Sequence, residues 1–416
     1  MSKRRVVVTG MGAITPVGND VAATWRAITE GVSGGANITK FDHSTFPVHF
    51  ACEVKGFDPL IYLERKEAKR ADLFAQYALA ASVQAMADAG LDNGSAYDPD
   101  RVGVIIGSGI GGLKTFEEQH DVYRERGQSK ISAFFIPMFI SDIAAGLVSM
   151  RFNAKGPNYA TISACATSAH AIGDAFRTIQ YGDADVVITG GSEATVTPMA
   201  IGGFANMTAL SRRNDSPETA SRPFDATRDG FVMGEGSGVV ILEELEHALA
   251  RGATIHGEVV GYRATGDAYH LTGQLPDHEG LQRAMRGAIQ DAGLTPADVD
   301  YVNAHGTSTP LNDSNEAKAI SAVFGDAAGG ISVSSTKSMT GHMLGAAGSV
   351  EFIACALAIR DQVVPPTINF CTPDPECGSL DFTPNQARER QVRAAVSNSA
   401  GFGGHNVSVV VKQYTR

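Results

Sequence analysis

Asp183-Ala184-Asp185-Val186-Val187-Ile188-Thr189-Gly190-Gly191 is followed, later in the chain, by a second stretch of similar pattern, Pro296-Ala297-Asp298-Val299-Asp300-Tyr301-Val302-Asn303-Ala304-His305-Gly306. In both, acidic residues lead into a short β-branched run that ends in a glycine-containing turn. A run of this kind predicts a buried strand. Its repetition suggests two related halves, which would divide near residues 250–260.

Further strand-like runs alternate with helix-like patterns on both sides of these stretches. Apolar residues at helical spacing predict helices over residues 68–89 and 280–292, and Gly293 follows the second as a C-terminal capping signal. Short β-branched runs stand at 6–8, 102–106, 239–242, 331–334 and 407–411. This alternation predicts an α/β fold.

Composition narrows the class of protein. The 416 residues are 43% hydrophobic, enough for a large core, and the net charge of −11 argues against a general nucleic-acid binder. Without an apolar stretch of about 18 residues we expect no membrane span, and the apolar run after the basic start is too short for a signal peptide. Five scattered cysteines suit a reducing cytoplasm, and their spacing predicts no metal site.

Cys165 lies in a run of small residues, Ile162-Ser163-Ala164-Cys165-Ala166-Thr167-Ser168-Ala169-His170, directly before a helix-like pattern. A cysteine at a helix N-terminus is close to the positive end of the helix dipole. We therefore expect a lowered pKa and a nucleophilic thiolate. The alternative is a small buried apolar residue, the usual fate of a free cysteine.

Two histidines also lie at unusual junctions. His305 follows the strand of the second quoted stretch, and His342 ends Lys337-Ser338-Met339-Thr340-Gly341-His342, near the start of a Gly/Ala-rich helix. A thiolate with two imidazoles suits acyl chemistry, because cysteine can take an acyl group and neutral imidazole N–H groups can stabilise an enolate or oxyanion. Other histidines are interpreted as structural: His170, His247, His256 and His278.

Two glycine-rich segments remain. The first is Asn398-Ser399-Ala400-Gly401-Phe402-Gly403-Gly404-His405-Asn406, which offers a mobile aromatic ring and a backbone N–H for an oxyanion, or simply a tight turn with one core phenylalanine.

The second has the G-x-G-x-x-G spacing in Gly107-Ser108-Gly109-Ile110-Gly111-Gly112, which leaves open a nucleotide-binding oxidoreductase or regulatory module. The acids near the expected distance, Asp121 and Glu125, do not clearly end a second strand, which weakens that alternative.

Together these segments resemble the β-ketoacyl-[acyl-carrier-protein] synthases, most closely the elongating type II enzymes of bacterial fatty-acid synthesis. The resemblance extends from Val8-Thr9-Gly10-Met11-Gly12 through Ser221-Arg222-Pro223-Phe224-Asp225 to Val364-Pro365-Pro366-Thr367-Ile368-Asn369. It implies decarboxylative condensation of an acyl chain with malonyl-[acyl-carrier-protein], without a cofactor.

By this resemblance, Cys165 accepts the acyl chain, while His305 and His342 bind the malonyl thioester carbonyl and stabilise the enolate. Lys337 is the supporting cation, and Phe402 is a gate whose N–H forms an oxyanion hole with that of Cys165. The remaining assignments are Thr307 and Thr309 at the phosphopantetheine arm, Thr272 as a further substrate-binding residue, Ile110 in the acyl pocket, and the supporting acids Asp313 and Glu351.

The resemblance also implies a thiolase-like duplicated fold of five layers, α-β-α-β-α. Residues 1–255 would form the half with the cysteine, and residues 256–416 the half with both histidines. We expect a cytoplasmic homodimer that binds an acyl carrier protein and neither nucleic acid nor membrane. A basic cluster, which could equally be a solvated helix face, is the candidate dock for that acidic partner: Arg65, Lys66, Lys69 and Arg70.

The chain departs from the family pattern at several positions. Ala400 replaces a usual phenylalanine, His405 and Ala166 stand where threonine is more usual, and His270-Leu271-Thr272-Gly273-Gln274 lacks a proline. These changes predict an altered acyl-chain range. A condensing subunit of a type II polyketide or aryl-polyene pathway stays an alternative. A non-catalytic chain-length partner would lack Cys165, and a thiolase would carry a second cysteine near Gly403-Gly404-His405.

Overall fold

The elements are numbered along the computed structural model, which describes residues 3–92 and 97–415. The strands are β1 (Val6–Ile14), β2 (Ala36–Asn37), β3 (Phe50–Ala51), β4 (Val102–Gly107), β5 (Asn158–Tyr159), β6 (Val186–Glu193), β7 (Gly236–Glu244), β8 (Gly257–Gly266), β9 (Tyr301–Asn303), β10 (Ser332–Ser334), β11 (Val363–Val364), β12 (Arg388–Glu389), β13 (Ala394–Gly401) and β14 (His405–Lys412). The helices are α1 (Val21–Thr29), α2 (Arg65–Ala68), α3 (Leu73–Asp88), α4 (Leu113–Arg126), α5 (Phe135–Phe139), α6 (Ile143–Phe152), α7 (Thr167–Tyr181), α8 (Pro198–Asn206), α9 (Leu245–Ala250), α10 (Glu279–Asp291), α11 (Pro310–Phe324), α12 (Lys337–Thr340) and α13 (Ala347–Asp361).

The main sheet has two arms of identical connectivity. Its strand order is β10-β9-β13-β14-β8-β1-β7-β6-β4-β5, and a short β1–β8 contact joins the arms. Outward from that contact, each arm has two antiparallel pairings followed by two parallel ones. This confirms the duplication. The two stretches that suggested it are nevertheless not equivalent, because one forms β6 and the other β9, whose counterparts are β13 and β4.

The layers follow from the alternation of side chains along the strands. Val187 joins a central core with α7 and α13, whereas its neighbours Val186 and Ile188 pack with α3 and α6. In the other arm Val409 reaches the same central core, and Val410 packs with α10 and α11. Successive side chains of a strand point to opposite faces, so the order is α-β-α-β-α, as the resemblance implied.

One predicted helix is wrong in its bounds. The interval 68–89 contains the end of α2 and all of α3, because Asp72 interrupts the pattern and caps α3 by accepting the N–H of Phe74 at 3.3 Å. The predicted helix 280–292 agrees with α10 to within one residue at each end. Strands β8 and β13, rich in Gly, Ala and polar residues, had no clear pattern in the sequence.

The central helices bring the two arms together at one place. The short 3₁₀ turns that precede α7 and α13, Ala164–Ala166 and Leu344–Ala346, contact each other. The loop after β9 and the turn between β13 and β14 border the same region. Within residues 3–92 and 97–415, no helix is long and apolar enough to cross a membrane.

Candidate active site

A cavity of about 390 Å³ brings the predicted chemistry together. Cys165, His305, His342 and Phe402, which come from four separate segments of the chain, all line it. The predicted substrate-binding threonines line it as well: Thr272, Thr307 and Thr309. Ile110 does not; it packs against a hydrophobic cluster that includes Cys165, so its role in an acyl pocket stays a prediction.

The backbone around Cys165 is shaped for a reactive side chain. Ala164 has the left-handed φ of 50°, and the 3₁₀ turn from Ala164 leads directly into α7 at Thr167. Gly401 packs tightly against this turn: a Cβ there would lie 2.6 Å from the Ser163 carbonyl oxygen and 3.2 Å from the Cys165 nitrogen. Only glycine allows that approach, which brings the N–H of Phe402 to the sulfur.

The predicted low pKa of Cys165 is wrong. The thiol is buried, and burial raises its pKa to about 12. Lys337 and the backbone N–H groups of Phe402 and Cys165 favour the thiolate, but they offset desolvation only in part. The sulfur is therefore a thiol at rest. The two N–H groups that reach it are nevertheless those predicted for the oxyanion hole.

Both imidazoles are neutral. Burial holds the pKa of His305 and of His342 well below the usual range, and the nearby ammonium of Lys337 lowers both further. The rings lie edge to face with their centroids 5.3 Å apart, and His342 makes a similar contact with Phe231. Neutral rings can donate an N–H without carrying a charge, as the sequence analysis expected.

Lys337 determines which nitrogen of His305 carries the proton. Its Nζ lies 3.4 Å from His305 Nδ1 and forms a buried ion pair with Glu351. An ammonium can only donate, so Nδ1 accepts and the proton is on Nε2. His305 therefore has an N–H on the nitrogen that Lys337 does not contact. The sequence placed Lys337 and Glu351 in the site, and the structure connects them to His305.

Two buried acids hold the loop after β9. Asp313 accepts hydrogen bonds from the N–H groups of Ser308 and Phe224, and burial raises its pKa. Glu316, which the sequence analysis missed, accepts the N–H groups of His305 and Gly306 at 2.8 and 2.7 Å. It lies mid-helix in α11 without a motif, and only its one-turn spacing from Asp313 hinted that both carboxylates share a helix face.

The glycine-rich loop after β4 surrounds a carboxyl group of the same chain, whose burial raises its pKa to about 7. Glu193, at the end of β6, accepts the N–H groups of Gly109 and Ile110 at 2.9 and 3.2 Å and the hydroxyl of Ser108 at 3.0 Å. It also accepts the N–H of Gly345 at 3.0 Å, beside the His342 segment. These are the donors that would hold a phosphate, so the loop gives no support to a nucleotide-binding oxidoreductase.

The positions that depart from the family pattern lie around the same cavity. Ala400 lines it and is 5% exposed. The His405 ring lies edge-on to that of His170, with centroids 6.1 Å apart, and His170 Nδ1 is 2.7 Å from the Ser163 hydroxyl, next to the cysteine turn. Ala166 is fully buried in that turn.

Comparison with known proteins places the chain. Residues 3–248 match the family model "Beta-ketoacyl synthase, N-terminal domain" and residues 256–371 "Beta-ketoacyl synthase, C-terminal domain". The chain is 54% identical to proteins named 3-oxoacyl-[acyl-carrier-protein] synthase 2 from Staphylococcus aureus and from Synechocystis, over 99% and 100% of this chain and 99% of each relative.

Solved structures agree with this placement. A type II polyketide ketosynthase in complex with its acyl-carrier protein superposes with a TM-score of 0.91 at 36% identity, and the ishigamide ketosynthase/chain length factor with 0.92 at 34%. Each match covers 99% of this chain and 100% of the other. Since the two family models together match most of its length and relatives of nearly full coverage share 54% of its residues, this chain belongs to the β-ketoacyl synthase family of condensing enzymes.

Proposed function

We propose that the chain extends acyl groups carried by an acyl carrier protein, through decarboxylative condensation with malonyl-[acyl-carrier-protein] as in fatty-acid elongation. The observation that carries this proposal is the meeting of Cys165, two backbone N–H donors and two neutral imidazoles at one cavity. Identity of 54% to the 3-oxoacyl-[acyl-carrier-protein] synthases, against 34–36% to the polyketide ketosynthases, favours fatty-acid over polyketide synthesis.

The first half-reaction loads the enzyme. The Cys165 sulfur bonds to the thioester carbonyl carbon, the bond from that carbon to the carrier's sulfur breaks, and the thiol proton ends on the departing carrier thiol. Because Cys165 is a thiol at rest, its proton leaves the sulfur as the new carbon–sulfur bond forms and is taken up by the carrier's sulfur as that thiolate departs. The N–H groups of Cys165 and Phe402 stabilise the tetrahedral oxygen.

The second half-reaction forms the carbon–carbon bond. Malonyl thioester loses carbon dioxide, and the released electron pair becomes an enolate whose oxygen accepts the N–H groups of His305 and His342. The enolate carbon then attacks the acyl carbon on Cys165, the C–S bond breaks, and the departing Cys165 thiolate takes up a proton from water to restore the thiol. Neutral donors suit this step, since they stabilise the enolate without protonating its carbon.

Intact-mass measurement tests this function directly. The protein is incubated with acyl carrier proteins that bear acyl groups of several lengths, and then with malonyl-[acyl-carrier-protein]. We expect a covalent acyl adduct, followed by a 3-oxoacyl product on the carrier. The matched control is Cys165→Ala, which should abolish loading. Loading that persists in this variant refutes the nucleophile, and failure of the wild type to load refutes the function.

The carrier protein would dock on the basic cluster around α2. Arg65, Lys66, Lys69 and Arg70 are all exposed, and the Arg70 guanidinium lies 4.3 Å from the centre of the Phe134 ring. A carrier of acidic surface would be attracted by this cluster although the whole chain is acidic. Lys66→Glu/Lys69→Glu should raise KM for acyl-carrier-protein substrates but not for acyl-pantetheine. An equal effect on both refutes the dock.

A second copy of the chain would cover the outer edge of the sheet. β5 is the last strand of its arm. Tyr159 of this strand and Ile162 shortly after it are 40 and 62% exposed, and Ile136 and Ile140, in and directly after α5, are 57 and 37% exposed. An unpaired strand edge with apolar neighbours favours association. Light scattering should give about twice the chain mass of 43.6 kDa, and a monomer for Ile162→Glu. A monomeric wild type refutes the homodimer.

Two coarser assignments complete the proposal. Residues 1–255 and 256–416 would form the two halves of the repeated unit, with the division in the linker between α9 and β8, which supports that boundary. A cytoplasmic location is supported by the cysteines, all of which are free.

A further inference from the structure

Gln274 and Asn312 form a polar pair in the cavity wall that the condensation chemistry does not use. Gln274 Nε2 donates to Asn312 Oδ1 at 2.7 Å, and both side chains line the cavity with Cys165. Gln274 belongs to the segment between β8 and α10, whereas Asn312 lies in the first turn of α11. The hydrogen bond therefore joins two separate segments across the wall.

A buried carboxylate fixes the direction of this pair. Asn312 Nδ2 donates to Asp313 Oδ1 at 3.0 Å, and Asp313 already accepts two backbone N–H groups and lies near Arg228. Surrounded by donors, Asp313 acts as an acceptor, so the Asn312 amide must turn its oxygen towards Gln274. Gln274 must then donate with Nε2. Its Oε1 is left as an acceptor without a donor among residues 3–92 and 97–415.

His278 lies beside Asn312. It is completely buried, has the left-handed φ of 52°, and its ring nitrogens make no hydrogen bond of good geometry within the described ranges. Burial lowers its pKa to about 4, although the amide of Asn312 acts in the opposite direction. The ring is therefore neutral and does not compete as a cation for the Asn312 oxygen.

The cavity has polar lining residues that range from exposed to buried. Thr272 is exposed and Gln274 half-buried, while Thr307, Asn312 and His305 are buried. The cavity also has an apolar part, in which the centre of the Phe204 ring lies 5.4 Å from that of Phe231 and 6.3 Å from that of Phe402. A substrate with a polar arm and an apolar acyl chain would place its arm on the side of Gln274.

We propose that Gln274, oriented by Asn312, is a substrate-positioning residue whose Oε1 accepts a hydrogen bond from an amide N–H of the pantetheine arm that carries the thioester. This inference rests on the proposed function, because it takes the substrate to be a pantetheine thioester. The side-chain amide of Gln274 offers a neutral acceptor whose orientation is set by its hydrogen bond to Asn312. A hydrogen bond there sets how far the thioester carbonyl enters towards Cys165.

The test compares thioesters with and without amides. Loading of Cys165 is followed by intact mass with hexanoyl-pantetheine and with hexanoyl-thioglycerol, which has no amide, and the ratio of their kcat/KM values is the readout. Gln274→Met, of equal length but without the amide, should reduce this ratio about tenfold, which corresponds to about 1.4 kcal/mol for one lost hydrogen bond. Asn312→Gly, which frees Gln274 from its fixed orientation, should shift the ratio in the same direction. The matched control is Gln290→Met, on the exposed face of α10 away from the cavity.

Each outcome decides the matter. A ratio that falls in Gln274→Met and Asn312→Gly but not in Gln290→Met supports the inference. Equal slowing with both thioesters overturns it, because such slowing would mean that Gln274 has a structural role or contacts the acyl chain, which the two thioesters share. An unchanged ratio also overturns it. If the wild type loads neither these thioesters nor an acyl-carrier-protein substrate, the proposed function fails as well, whereas a loaded wild type with an unmoved ratio refutes only the role of Gln274.

Discussion

Replacement of Lys337 by methionine should separate the two half-reactions. The ammonium is completely desolvated: the Lys337 side chain is 1% exposed and that of Glu351 3%. Removal of one partner from a buried ion pair costs about 3–5 kcal/mol of unfolding free energy, because the other charge stays behind. Glu351 can relieve part of this cost by taking up a proton, since burial already raises its pKa and Lys337 is what opposes that rise.

The catalytic effect has a different origin. Without Lys337, the proton of His305 can move to Nδ1, and the Nε2–H donor is lost for part of the time. Loss of one donor to a developing oxyanion typically slows a reaction by about 10²–10³. Decarboxylation of malonyl thioester should therefore slow by that factor. Loading of Cys165 should slow less, because the backbone N–H groups of Phe402 and Cys165, which also favour the thiolate, stay in place.

Two assays and one double variant test this reasoning. Loading is measured by intact mass, and decarboxylation by release of labelled carbon dioxide from malonyl-[acyl-carrier-protein]. In Lys337→Met/Glu351→Gln the buried charge is gone, so stability against urea should recover while decarboxylation stays slow. If the double variant regains decarboxylation, or if Lys337→Met slows both half-reactions equally, the assignment of Lys337 to His305 is refuted.

Three further predictions concern other parts of the site. Ala400→Phe should fill the cavity beside Cys165 and shorten the range of acyl groups that load, and identical chain-length profiles would contradict this. Glu193→Gln should place an NH₂ group against backbone N–H donors and lower the unfolding free energy by about 3 kcal/mol, as measured by urea titration. The control Glu118→Gln, on the exposed face of α4, should leave the unfolding free energy unchanged. Equal stabilities of the two variants would refute the role of Glu193. Because burial raises the pKa of Cys165 to about 12, its alkylation by iodoacetamide in a Cys371→Ser background should accelerate up to pH 10, and a plateau near pH 7 would contradict the assignment.

Much of the site could be predicted because its chemistry depends on residue types at chain junctions. Cys165 precedes a helix, His305 follows a strand, and Phe402 is flanked by glycines, and each position can be recognised locally. The pKa of Cys165 could not be predicted in this way. A helix N-terminus is visible in the sequence, but desolvation depends on how Gly401 and its neighbours close over the sulfur.

Contacts between segments far apart in the chain were the other feature that the sequence could not predict. Glu316 and Glu193 belong to a regular helix and strand, and only the fold shows that their carboxylates bind the loops of His305 and Gly109. The duplication was recognised from the wrong pair of strands for the same reason. Local pattern identifies a buried strand, whereas its place in the sheet is set by pairing with strands far along the chain.

The carboxylate that occupies the glycine-rich loop has a consequence for the way such loops are identified. Glycine spacing shows that backbone N–H groups converge, but it does not show whether their hydrogen-bond acceptor is a bound cofactor or a side chain of the same protein. Here Glu193 supplies it from the end of a neighbouring strand and in doing so links that loop to Gly345. A small exogenous carboxylate such as formate, added to a Glu193→Gly variant, would therefore be a natural substitute, and the loop could be converted from an internal tie into a receptor for anions.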